Sequence, residues 1–109
     1  MKIAIPVGSK SENPPMYERF GRTPYFYIYD TETNSGEIIE NAAANARGGA
    51  GIQTVESLVR LGIKAVIVPS LGPNAERVLR ESNIEIYQGQ NKTVKELLDL
   101  LEQSKLQRL

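Results

Sequence analysis

Two short runs, Lys2-Ile3-Ala4-Ile5-Pro6-Val7 and Ile63-Lys64-Ala65-Val66-Ile67-Val68, constrain this chain more than any other feature. Each is apolar on both faces apart from its ends, the pattern of a strand buried inside a sheet that is covered above and below. Pro6 is expected to bring the first run to a close, because it lacks the amide that a central strand needs.

Between these runs lie two more strand-like stretches. Tyr25-Phe26-Tyr27-Ile28-Tyr29-Asp30 carries the aromatic residues that suit a pleated surface, and Glu37-Ile38-Ile39-Glu40-Asn41 is polar at both ends, as befits an edge. Thr31 to Gly36 reads as the hairpin turn between them. From Gly8 to Thr23 the chain is polar and turn-rich, a long loop of the kind that usually carries function.

The later half alternates. Ile52, Val55, Leu58, Val59 and Leu61 recur at helical spacing, and Gly62 is placed to stop that helix in a left-handed conformation. A second helix starts in Ser70-Leu71-Gly72-Pro73-Asn74-Ala75, with Pro73 in its first turn, Ala75, Val78 and Leu79 inward and Asn83 as its stop. Ile84-Glu85-Ile86-Tyr87 is the last strand. Thr93 and Glu96 form the capping box of a third helix, whose inner stripe is Val94, Leu97, Leu98 and Leu101. Beyond Ser104 there is little to bury, and the tail is expected to fray.

This order, β-β-β-α-β-α-β-α, begins with an antiparallel meander and ends with two right-handed crossovers, which puts strands four and five beyond strand one. The expectation is a single α/β domain over residues 1–109, a three-layer α/β/α sandwich of the ribonuclease-H-like kind, with a five-stranded mixed sheet in the order 3-2-1-4-5. Both crossovers travel the same way, so the first two helices share one face and the third covers the other.

That topology brings three loops to the carboxyl ends of the parallel strands, at a topological switch point. One is the long loop from Gly8. The second is Asn45-Ala46-Arg47-Gly48-Gly49-Ala50-Gly51, and the third runs from Ser70 to Asn74. The last two each open a helix, whose first amides lack internal partners and carry the positive end of the dipole, so two ready anion sites face one crevice. The candidate binding residues are Lys10, Arg22, Asn45, Arg47, Gly48, Gly49, Ala50, Gly51, Gly72 and Asn74, with Arg47 favoured because its fork could grip a carboxylate or phosphate. No Lys-Ser or Lys-Thr follows the glycines and no G-x-G-x-x-G occurs, so neither a P-loop nor a dinucleotide fingerprint is present.

Composition narrows the chemistry. Thirteen basic and thirteen acidic residues cancel, so no overall field draws the chain to nucleic acid or to a membrane, and any charged ligand must be held locally. Cysteine and histidine are both absent, which removes disulfides, thiolate and imidazole metal ligands, and Cys–His or Ser–His–Asp catalysis. No signal-peptide layout or membrane-length apolar run is seen, and a cytoplasmic location is expected.

The segments Arg19-Phe20-Gly21-Arg22-Thr23-Pro24-Tyr25-Phe26, Gly48-Gly49-Ala50-Gly51-Ile52-Gln53-Thr54 and Leu71-Gly72-Pro73-Asn74-Ala75, followed by Ile84-Glu85-Ile86-Tyr87, together resemble the dinitrogenase iron-molybdenum cofactor biosynthesis family. The resemblance covers nearly the whole chain in the right order. It implies a ribonuclease-H-like fold and, for nitrogenase-associated members, transient binding of iron-molybdenum cofactor or its precursors, with histidine or cysteine credited as metal ligands. This chain has neither residue, so binding would rest on backbone amides, asparagines, carboxylates and arginines, which suits an anionic, preassembled iron-sulfur or iron-molybdenum cluster over bare iron.

Three functions follow. The first is a non-catalytic carrier or chaperone for an anionic metallocofactor or related small anion, working with cofactor-assembly proteins. The second is a protein-interaction or regulatory domain. The third, a metal-dependent hydrolase, lacks its usual constellation, because the run Ile3 to Val7 holds no carboxylate and Asp30 lies at the far end of an oppositely directed strand.

Overall fold

A computed structural model describes residues 1–109. Its elements are β1 (Lys2–Val7), β2 (Tyr25–Asp30), β3 (Ser35–Glu40), α1 (Ala50–Arg60), β4 (Ile63–Val68), α2 (Pro73–Glu81), β5 (Glu85–Gln88) and α3 (Val94–Glu102). The five-stranded sheet has the expected order β3-β2-β1-β4-β5, antiparallel across β3, β2 and β1 and parallel across β1, β4 and β5.

Each sheet face has its own core. Val55 and Leu58 of α1 and Ala75 and Leu79 of α2 pack with Phe26, Ile28, Val66, Val68 and Ile86 on one face. Val94 and Leu97 of α3 pack with Ile3, Ile5, Val7, Ala65 and Ile67 on the other. Alternation along β1 divides its side chains between these layers, which is why a strand apolar on both faces sits at the centre. No helix is long and apolar enough to cross a membrane.

Local signals explain most boundaries. Gly62 and Asn83 stop α1 and α2 with φ of 78° and 59°. Thr93 accepts the Glu96 amide while the Glu96 side chain accepts the Thr93 amide, so the capping box of α3 is formed. On α1 the inward face is Ala50, Thr54, Val55 and Leu58, whereas Val59 and Leu61 at the same helical spacing are exposed.

Three expectations are corrected. Pro6 does not end its strand: β1 continues to Val7↔Tyr25 against β2, and Pro6 lies past Ala4↔Val66, the last pair with β4, where its missing amide breaks no ladder bond. The hairpin turn is shorter than Thr31 to Gly36, because Asn34 takes the left-handed conformation at φ 54° and Ser35 and Gly36 join β3. Gly36 is there for packing, since a Cβ on it would collide with the Tyr27 phenol. The tail does not fray either. Leu106 is buried in the α3-side core, and the residues after it pair with β5 through Gln88 N–H to Gln107 O (2.7 Å) and Leu109 N–H to Ile86 O (2.8 Å).

Candidate functional site

The two glycine-bearing turns and part of the long loop meet, as the topology requires, around a cavity of about 400 Å³. Its walls are Glu18 to Arg22 from the long loop, Gly49 to Ile52 from the start of α1, and Ser70 with Gly72 to Ala75 from the start of α2. Both helix starts are bare. Gly49, in the left-handed region at φ 69°, and Gly72 stand at the N-cap positions, and neither has a side chain to occupy the first amides. The first intrahelical bonds are Gln53 N–H to Gly49 O (2.9 Å) and Glu76 N–H to Gly72 O (3.0 Å). The amides of Ala50, Gly51, Ile52, Asn74 and Ala75 precede them and belong to residues of the cavity wall. Two positive helix ends therefore share one opening, whose wall also carries Arg19, Arg22 and a single carboxylate, Glu18.

The floor is set by close backbone contact. A Cβ on Gly21 would lie 3.0 Å from both Cα and N of Gly51, and one on Gly51 would lie 3.2 Å from the Ala75 Cβ. The long loop thus presses onto α1, and α1 onto α2, at adjacent points. Behind them a buried polar cluster fixes the arrangement. Asn41 donates its side-chain amide to Thr23 O (3.0 Å) and to Thr54 Oγ1 (3.2 Å), and Thr23 donates its hydroxyl to Val7 O (2.9 Å). Every buried side-chain polar atom has a partner, so this cluster is structural.

Arg22 has two duties. It lines the cavity, and its Nη1 donates to Ala44 O (3.1 Å) and Ala46 O, which pins the segment leading into the glycine turn. The bonds it makes use one nitrogen, leaving Nε and Nη2 as donors on the guanidinium edge.

Of the residues expected from sequence, Arg22, Gly49, Ala50, Gly51, Gly72 and Asn74 are brought together in the cavity wall. Lys10, Asn45, Arg47 and Gly48 are not. Lys10 turns to the α3 side, its Nζ 5.3 Å from the centre of the Tyr25 ring, because the loop is drawn there by the Val7↔Met16 and Pro15↔Thr93 bridges. Asn45, Arg47 and Gly48 stand exposed on the shoulder of the turn, outside the wall, and the Gly48 carbonyl accepts from Gln53 Nε2 (3.4 Å). Sequence reasoning missed Arg19 and Glu18. Their signal was proximity to Phe20, which is 3 % exposed and packs in the core, while Arg19, which directly precedes it, and Glu18, two residues before it, are exposed.

Comparison with known proteins bears on the fold and the family. A protein of Methanocaldococcus jannaschii, described as uncharacterized, is 32 % identical over 111 residues that span 99 % of this chain and 91 % of the relative. An NMR structure of a Thermotoga protein, described as a candidate NifB protein of the DUF35 family, superposes with a TM-score of 0.86 at 35 % identity, covering 99 % of this chain and 92 % of that one. The apo form of the orange protein from Desulfovibrio gigas superposes with a TM-score of 0.93 at 24 % identity, with 99 % and 92 % covered, a likeness of fold. The family pattern described as dinitrogenase iron-molybdenum cofactor matches residues 1–104, and this chain belongs to that family.

Proposed function

We propose that this chain is a non-catalytic carrier or chaperone that holds a preassembled anionic metallocofactor, or a related small anion, in the crevice between the starts of α1 and α2. The observation that carries this reading is the meeting of two uncapped helix N-termini with Arg19 and Arg22 around one cavity. Each exposed charge–dipole contact is worth about 0.3–1 kcal/mol, so amides alone bind weakly, and the arginine edge supplies the charge-assisted bonds that raise affinity.

The donor set favours a complete cluster over a free metal ion. The sequence offers no cysteine or histidine, and no three carboxylates gather to hold a cation. Hydrogen bonds and helix dipoles recognise the outer surface of an anion and leave its internal metal–ligand bonds untouched. Transient loading and release, which a carrier requires, suit such outer contacts better than direct metal ligation. Family membership supports iron-molybdenum cofactor or a precursor as the cargo, and the proteins that make or receive it as partners.

Anaerobic incubation of the purified chain with isolated iron-molybdenum cofactor, followed by gel filtration and elemental analysis, tests this reading. Molybdenum and iron should elute with the wild-type chain in fixed ratio and should be lost from Arg19→Ala/Arg22→Ala. Retention that is unaffected by both substitutions would contradict the proposed site.

A further inference from the structure

After α3 the chain reverses at Ser104, and residues 106–109 lie antiparallel along the open side of β5. Gln88 donates its amide to Gln107 O (2.7 Å), Leu109 donates its amide to Ile86 O (2.8 Å), and Tyr87 stands opposite Arg108. Leu106, 8 % exposed, is the one tail side chain that enters the core. These residues lie beyond the part of the chain that carries the family pattern. Their place on β5 demonstrates that this edge accepts an antiparallel strand with a leucine anchor.

The reversal itself is the weak point. Ser104 N–H bonds to Leu101 O (3.0 Å) and Lys105 N–H to Leu100 O (2.8 Å), a Schellman arrangement that holds Ser104 in the left-handed region at φ 57°. The equivalent stops after α1 and α2 are Gly62 and Asn83, the residue types that tolerate this conformation best. Serine is the least suited of the three. If Ser104 instead adopts helical dihedral angles, α3 extends and the tail is carried away from its own β5.

A short, strained hinge followed by a segment whose contacts can be remade identically in another molecule is the condition for exchange between copies. The geometry points to the β5 edge as an interface with a second copy of this chain, formed by reciprocal exchange of residues 105–109 about Ser104. Each β5 then receives the other copy's tail through the same bonds, and the strain at both hinges is released. What opposes the dimer is the entropy of association, so the exchange is driven by concentration. The crevice plays no part in it, and the inference stands apart from the cargo reading.

Sedimentation equilibrium of the full chain from micromolar to millimolar concentration tests the inference, together with Ser104→Gly, Ser104→Ala and Leu106→Asp. The wild type should show a monomer–dimer equilibrium. Ser104→Gly, which accepts the left-handed turn, should weaken it several-fold, Ser104→Ala should strengthen it several-fold, and Leu106→Asp should abolish it. In mixtures of labelled and unlabelled chains, isotope-filtered NOEs should connect Ile86 and Gln88 of one copy to the tail of the other. The inference is overturned if wild type and Ser104→Ala are both monomeric at every concentration, or if a dimer forms that neither Ser104→Gly nor Leu106→Asp alters.

Discussion

Gly21 and Gly51 touch backbone to backbone: a Cβ on Gly21 would sit 3.0 Å from both Cα and N of Gly51. The long loop can reach the first turn of α1 because Gly21 lacks a side chain, whereas a Cβ on Gly51 would instead meet the Ala75 Cβ at 3.2 Å. Gly21→Ala should therefore destabilise the fold by about 1–3 kcal/mol, the range for overpacking a close contact. Urea unfolding measures it. Gly48→Ala is the control, because a Cβ there meets nothing within 4 Å, and its midpoint should be unchanged. Equal effects at the two positions would show that the close approach is not what holds the loop.

Arg22 ties the segment before the glycine turn to the crevice through the Ala44 and Ala46 carbonyls. Removing it leaves two part-buried acceptors without their donor, at a cost of about 1–3 kcal/mol. Arg22→Ala should lower the unfolding midpoint and speed amide exchange from Ala43 to Gly49, while exchange in β4 follows only the global change. Unaltered exchange in that segment would assign Arg22 to ligand contact alone.

The capping box of α3 predicts an acid-side loss of stability. The Thr93 amide, and then its hydroxyl, hold the Glu96 carboxyl below its ordinary value. A carboxyl depressed in the folded state contributes its stabilisation above the unfolded value and loses it as pH falls through the folded one. Glu96→Gln should thus narrow the stability difference between neutral pH and about pH 3. A carboxyl-detected NMR titration should show Glu96 returning toward the ordinary value in Thr93→Ala. The Thr93 amide bond survives in that variant, so no upward movement would mean that the Thr93 hydroxyl does not bond Glu96 in solution.

Much of this architecture was legible because its signals are local. The double-faced apolar runs at β1 and β4, the capping box at Thr93 and the stops at Gly62 and Asn83 each depend on near neighbours, and the crossover rule then orders the strands. What was not legible depends on partners distant in sequence. Nothing local to Lys10 shows that the bridges at Met16 and Pro15 turn its loop toward Tyr25. Arg47 stands in the glycine turn, yet the turn carries it to the exposed shoulder, and the wall is supplied by Arg19 and Arg22. The tail offers little to bury, and its attachment instead uses backbone bonds to β5, one leucine and a bond from Arg80 Nη1 to Leu109 O.

If an anion sits between the starts of α1 and α2, Gly72 offers the cleanest way to block it. Gly72 has ordinary backbone angles, φ −70° and ψ 157°, and a Cβ there meets nothing within 4 Å, yet the residue lines the cavity. Gly72→Val should fold as the wild type does while placing methyl groups where the ligand would lie. The decisive measurement is a ¹⁵N-amide titration of both chains with phosphate and with citrate at low and high salt. Wild-type shifts should concentrate at Ala50 to Ile52, Asn74 and Ala75, weaken as salt screens the exposed charges, and vanish in folded Gly72→Val. Shifts that map elsewhere, or that persist unchanged in Gly72→Val, would contradict the account and leave the crevice as a packing solution only.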